Sequence, residues 1–327
     1  MTFHDDCSGS YCDVSVHHMM LLDKIRTEAY ERALVQNVTP GCRVLDFGCG
    51  TGVLSIFASR AGAEKVYAVD KSIFIQKAYA IAKRNKIENI AFYHNDHLTL
   101  ELDSKVDVLV SEWMGHFLFY EGMLGPLLHL RDKYLVEGGT MIPGRMSLHA
   151  AFITDELCYD HYSFLRTSPY GIDFSPIVDM PLAQVQLERV TPDQILVPTV
   201  DLGTLDLHTL EARPKALSGT IVPTAQATVY GFCAWFTAHL VEGIDLGTGP
   251  FDRPTHWNQM YFPLNEPLKV EPGVELTIDL TLPDETLTQH LPAWYWSISD
   301  GTRTIEMNDI DHREQFDPFL PSGLITD

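Results

Sequence analysis

The stretch Val44-Leu45-Asp46-Phe47-Gly48-Cys49-Gly50-Thr51-Gly52-Val53-Leu54 constrains the fold of this chain more than any other. An apolar run leads into three glycines at alternate positions and then into a helical pattern. Glycine lets a backbone turn sharply and approach a ligand closely, so the segment predicts a strand, a tight loop and a helix. The same alternation continues on both sides. Strands are expected at Arg43–Phe47, Lys65–Asp70, Ala91–His94 and Val106–Val110, and helices at Gly52–Ala61, Ile73–Asn85 and Met123–Leu135. Alternating strands and helices imply a parallel sheet with right-handed crossovers. From Asp13 to about Gly139 the chain therefore reads as an α/β, Rossmann-like half.

The texture changes at Ile142-Pro143-Gly144. Beyond it, short alternating runs such as Thr228–Phe232 and Glu275–Leu280 lie between Pro, Gly and Asp turns, the pattern of an antiparallel sandwich or barrel. The expected organisation is N-terminal helices and an α/β domain over 1–142, then an antiparallel β-barrel domain over 143–327. Tyr159 to Pro192 fits neither half and reads as an inserted arm. A length of 327 residues suits about two domains.

Composition narrows the function. Lys+Arg 23 against Asp+Glu 44 leaves a formal charge of −21, which opposes binding to nucleic acid or resting on anionic membranes. A basic partner remains open, as does charge that serves only solubility. No run of eighteen apolar residues predicts a spanning helix. The acidic start Met1–Asp6 is unlike a signal or transit peptide. Six scattered cysteines suggest reduced thiols in a cytoplasmic or nuclear setting. The 14 histidines show no metal-binding spacing, and no metal is expected.

Two motifs carry chemistry. The dinucleotide fingerprint G-x-G-x-x-G needs glycine where this chain has Val53, so the loop is instead D-x-G-x-G-x-G from Asp46 to Gly52. That pattern resembles motif I of S-adenosylmethionine-dependent methyltransferases. Asp70 ends the second strand, where a carboxylate can accept both ribose hydroxyls. After the fourth strand, Glu112 and Glu121 stand nine residues apart among Trp113, Met114, Phe117, Leu118 and Phe119. Two carboxylates in an apolar loop require a cation between them or a shared proton. A guanidinium fits, because its planar fork of donors matches carboxylates bidentately.

With these residues the chain resembles the protein arginine N-methyltransferases over Tyr11 to about Glu306. The D-x-G-x-G-x-G loop, the double-glutamate hairpin and Thr255-His256-Trp257 stand in the family's order. The likeness is to type I members, most of all to the arginine methyltransferase 6 branch. It implies transfer of methyl groups from S-adenosylmethionine to arginine in proteins, leaving S-adenosylhomocysteine. It also implies mono- and asymmetric dimethylarginine as products, Arg/Gly-rich or histone tails as candidate substrates, and a head-to-tail homodimer using the arm. By resemblance, Glu112 and Glu121 grip the target arginine, Arg26 meets the donor's carboxylate, and His17 lies against the donor. Asp46, Gly48 and Gly50 line the donor's amino-acid end and Asp70 holds the ribose. Asp23 and His256 form a proton-accepting pair bridging the two domains. Met20 and Met123 narrow the pocket, while Tyr11, Trp113 and Trp257 belong to the substrate side. The chain departs from the family at Cys7 and Ser8, where aromatics are usual, and in reading His17-His18-Met19-Met20 where two acids are usual. The adenine-binding acid falls at Leu98, with Asp96 or the main chain of His97 as substitutes. Two other readings are a small-molecule methyltransferase, which would not need the paired glutamates, and a weakly active regulatory relative.

Overall fold

The computed structural model describes residues 13–119, 121–282 and 294–308, and Tyr11, Cys7 and Ser8 lie outside them. It divides into two compact units that do not follow chain order: 1–148, 204–213 and 235–258 form the first, and 149–203, 214–234 and 259–327 the second. Segments 204–213 and 235–258, from beyond the expected boundary at residue 142, pack with the α/β half. They are held there by bonds such as Gln36 Nε2 to the Glu242 carbonyl (3.0 Å) and Arg131 Nη1 to the Leu207 carbonyl (2.7 Å).

In the first unit the order is α1 (Val14–Leu22), α2 (Lys24–Asn37), β1 (Arg43–Phe47), α3 (Val53–Ala61), β2 (Lys65–Asp70), α4 (Ile75–Arg84), β3 (Ile90–His94), β4 (Val106–Val110), α5 (Leu124–Tyr134) and β5 (Leu135–Ile142). The five strands pair in parallel in the order β3-β2-β1-β4-β5. Val44, Leu45, Val66 and Val110 are fully buried, as expected of parallel strands covered on both faces. The strand order reverses between β1 and β4, which pair through Asp46 and Val110. Such a reversal opens a crevice at the carboxyl ends of the strands. Here it brings together the glycine loop after β1, Asp70 at the end of β2 and Ser111-Glu112 after β4.

Helix ends are set by side chains. Asp13 caps α1 by accepting from Ser15 N (2.8 Å), and Asp23 ends α1 and caps α2 by accepting from Arg26 N (3.0 Å). Asn and Asp are favoured at such positions because they satisfy an otherwise unpaired N–H. No helix among the described residues is long and apolar enough to cross a membrane.

The remaining elements are β6 (Arg145–Ile153), α6 (Glu156–Ser163), β7 (Gln186–Glu188), β8 (Val200–Asp206), β9 (Ala216–Ile221), β10 (Ala227–Val241), β11 (Ile244–Gly247), β12 (Gln259–Val270), β13 (Leu276–Thr281), β14 (Tyr295–Ser299) and β15 (Thr304–Asn308). The antiparallel half consists of two sheets, with strand orders β7-β12-β10-β6-β8 and β15-β14-β13-β9, and β11 pairs the end of β10. In the second unit Phe232 and Phe262 stack at 4.7 Å, and Trp296 Nε1 donates to the Pro263 carbonyl (3.2 Å). The arm begins with α6, whose Tyr159 packs with Leu182 and Tyr230 and donates to the Asn265 carbonyl (3.0 Å). Its Phe164, Tyr170 and Ile172 are exposed.

Candidate functional site

A cavity of about 540 Å³ opens at the carboxyl ends of β1, β2 and β4, and every residue lining it belongs to the first unit. The loop after β1 forms one wall, with Gly48 and Gly50 in the lining and Gly52 just behind it. Gly48, Gly50 and Gly52 all have positive φ, at 74°, 51° and 75°, a region where a side chain is strained. Each is also hemmed in. A Cβ would fall 3.2 Å from Met123 Cε at Gly48, 3.0 Å from the His17 ring at Gly50, and 3.2 Å from Ala78 Cβ at Gly52. His17 is buried and stacks on Phe74 at 3.8 Å, which ties α1 to the segment leading into α4.

Asp70 faces the cavity with both oxygens engaged, accepting from Gly50 N and Ser72 N at 2.8 Å each. Asp46 does not line it. Its fully buried side chain lies behind the loop, where Oδ2 accepts from Ser55 Oγ (2.6 Å) and Oδ1 has no hydrogen-bond partner. Burial pushes its carboxyl up to about 7, against the hydrogen bonds from Ser55. Alternate strand residues point to opposite faces, so the side chain of the motif's first acid supports the loop rather than forming the cavity wall.

Asp96 and His97 line the far end. Asp96 Oδ1 accepts from Leu98 N and Thr99 N at 2.8 Å each, holding that turn. These bonds, from Thr99 first, pull its carboxyl below the usual range. Leu98 is 67% exposed and does not line the cavity. Burial, and then the neighbouring His129, lowers the His97 imidazole below its ordinary value.

The double-glutamate hairpin supplies another part of the lining. Glu112 and Glu121 both line the cavity. Glu121 lies against the backbone of Gly115, where a Cβ would come within 2.9 Å of its Oε1. Glu112 is buried against Arg26, whose Nη2 and Nε donate to Glu112 Oε2 at 2.6 and 3.0 Å. Arg26 therefore pairs here with the hairpin. Burial opposes its charge, but Glu112, helped by Tyr30 and Asp23, raises the guanidinium above its ordinary value. Trp113, expected on the substrate side, is fully buried and not part of the wall, so it serves as core beneath the hairpin.

Asp23 accepts at Oδ2 from His256 Nδ1 (2.8 Å) and from His256 N (2.9 Å). Burial alone would raise its carboxyl, yet the hydrogen bonds from His256 and Arg26 N hold it below the usual range. A carboxylate only accepts, so Nδ1 carries the proton and Nε2 is left as a base. The expected Asp23–His256 pair is formed, and segment 235–258 lies in the same compact unit as Asp23. Trp257, Met20 and Met123 also line the cavity. His116, which sequence reasoning does not single out, lines it too, with Nδ1 3.4 Å from the Trp257 carbonyl. Its one sequence signal is its place within the hairpin.

Comparison with known proteins gives a consistent result. Residues 144–293 match the arginine methyltransferase oligomerization subdomain, and residues 26–133 match the ribosomal protein L11 methyltransferase family. The chain is 34% identical to protein arginine N-methyltransferase 6 of Danio rerio over 86% of each protein. It is 38% identical to protein arginine N-methyltransferase 1 of Schizosaccharomyces pombe, over 84% of this chain and 83% of that one. Among solved structures, the Trypanosoma brucei PRMT1 enzyme–prozyme heterotetrameric complex with AdoHcy superposes with a TM-score of 0.84. That match has 30% identity and covers 92% of this chain and 99% of the other.

Proposed function

This chain belongs to the protein arginine N-methyltransferase family, and from that membership we propose that its end product is asymmetric dimethylarginine. The activity is transfer of methyl groups from S-adenosylmethionine to arginine in protein substrates. The cavity suits that donor: Gly48 and Gly50 bring bare backbone to its lining, Asp70 presents a carboxylate to it and Arg26 a cation. The donor supplies an electrophilic methyl group on a sulfonium sulfur.

The observation that carries the reading is that Glu112, Glu121 and His256 line one cavity with Met20 and Met123. Arginine is a poor nucleophile because its charge is spread over three nitrogens. Carboxylates held against two of them draw the charge away from the third, an electrostatic arrangement fixed before substrate arrives. Alignment of nitrogen, methyl carbon and sulfur can supply roughly 7–11 kcal/mol of the barrier. With the donor bound, its sulfonium would give up the methyl group to the guanidino nitrogen and keep the bonding pair on sulfur, and His256 Nε2, whose ring Asp23 holds in place, would take the nitrogen's proton. Met20 and Met123 both line the cavity, and the narrowing that the family likeness assigns to them favours placing both methyl groups on the same nitrogen.

Substrates of the proposed type are basic, Arg/Gly-rich or histone-like tails, drawn in by a chain of charge −21. Oligomerisation accompanies the family's subdomain over 144–293, and we assign it to a head-to-tail homodimer that covers the exposed apolar residues of the arm. The test is incubation with S-adenosylmethionine and an Arg/Gly-rich peptide beside its Lys-substituted twin, read by tandem mass spectrometry. Dimethylamine loss from the Arg peptide alone is expected. Symmetric product, or monomethyl product that never advances, overturns the type I reading.

A further inference from the structure

Arg26 and Glu112 are 86 positions apart, yet they form an ion pair of 2.6 Å at the cavity, with side chains 7% and 9% exposed. Two donors of the guanidinium, Nε and Nη2, converge on the single oxygen Oε2. Among the described residues Oε1 takes one long contact, from Met114 N at 3.4 Å. Nη1 reaches the Met20 carbonyl at 3.4 Å. One oxygen of the acceptor-side carboxylate is thus saturated by a guanidinium of the protein itself, the same chemical group that the substrate presents.

We propose that Arg26 is a positioning residue that couples the two substrates: it holds Glu112 until the donor's carboxylate offers it a second anion, and its release readies Glu112 for the incoming arginine. Two guanidinium groups competing for one buried carboxylate oxygen disfavour each other, and a second carboxylate removes the competition. The donor's nucleoside has no part in this exchange, because the anion sits on the amino-acid end. Coupling between two ligands is reciprocal, so loosening Glu112 from Arg26 strengthens the donor's carboxylate contact. The inference rests on the family's donor and acceptor, and it is independent of whether the dimethyl product is asymmetric.

The experiment compares S-adenosylhomocysteine with 5′-methylthioadenosine, a nucleoside thioether that lacks the amino-acid end, by calorimetry on the intact protein. In Glu112→Gln, S-adenosylhomocysteine should bind about fivefold tighter or more, the low end of ordinary couplings, while 5′-methylthioadenosine is unchanged. Tightening of both alike, or unchanged or weakened S-adenosylhomocysteine binding, overturns the proposal. A second measurement needs no substitution. Affinity of the unmodified protein for an Arg/Gly-rich peptide should rise by a similar factor with saturating S-adenosylhomocysteine and stay flat with 5′-methylthioadenosine. Equal effects of the two nucleosides, or none from either, also overturn it. Product analysis reports separately on the type I reading, so the two can fail independently.

Discussion

Asp23 Oδ2 accepts two hydrogen bonds from one residue, His256, through its ring Nδ1 at 2.8 Å and its main-chain N at 2.9 Å. The other oxygen of the same carboxylate caps α2 at Arg26 N. Asp23→Asn keeps a capping side chain but removes the anion that orients the ring. Turnover should fall by about 100-fold, the scale of a lost general base, with S-adenosylhomocysteine affinity little changed. Asp23→Ala should add a stability loss of about 1 kcal/mol from the missing cap, read by denaturant unfolding. Turnover unaffected in Asp23→Asn means that His256 is not the base.

Glu121 carries the second half of the clamp. Glu121→Gln removes the charge and keeps the shape. Turnover should drop by about 100-fold or more, as for other lost preorganised groups, while the donor product still binds. Single-turnover methylation of a peptide measures the chemical step directly, and near-normal rates in this variant remove the double-carboxylate mechanism.

Gly115 tests how closely Glu121 must be placed. Its φ is +48°, and a Cβ added there would meet Glu121 atoms at 2.9–3.0 Å, so Gly115→Ala displaces the carboxylate without touching its chemistry. A shift of about 1 Å at a reacting centre costs about 100-fold. The expected signature is a lower kcat with nucleoside affinity preserved. Gly50→Ala should do the reverse, pushing on His17 and weakening nucleoside binding first.

Asp46 gives a pH signature. Its folded carboxyl titrates near 7 against 3.8 in the unfolded chain. Between those values the unfolded state has lost the proton and the folded state keeps it, so stability falls as pH rises from about 4 to about 7 and is flat above. The full shift amounts to roughly 4 kcal/mol as an upper figure. Asp46→Asn should abolish that slope, so its stability relative to the unaltered protein should improve from pH 5 to pH 8 in urea titrations. Parallel pH curves for the two proteins mean that the buried carboxyl is not the titrating group.

Much of the α/β half is legible because parallel strands buried on both faces are continuous apolar runs: β1, β2 and β4 stand where their residues predict. β5 is not, since Glu137, Gly138 and Gly139 interrupt it and only pairing with β4 holds it extended. The local pattern predicts only Thr228–Phe232 of the fifteen-residue β10, because neighbouring strands sustain its length. At the site, the glycine loop and the glutamate pair carry their own short-range pattern. The Arg26–Glu112 pair spans 86 positions and the Asp23–His256 pair 233, so no spacing announces either one. Motif membership assigns Asp46 and Trp113 to the wall, whereas the strand's alternation and core packing place them behind it.

The three left-handed glycines each abut a different element: Met123 at the start of α5, His17 in α1 and Ala78 in α4. The loop itself therefore has no freedom to be redesigned, since any added carbon is refused both by the backbone and by what stands opposite. An engineer wishing to admit donors with bulkier alkyl groups must trim across the gap, at Met123 or His17, and leave the glycines alone.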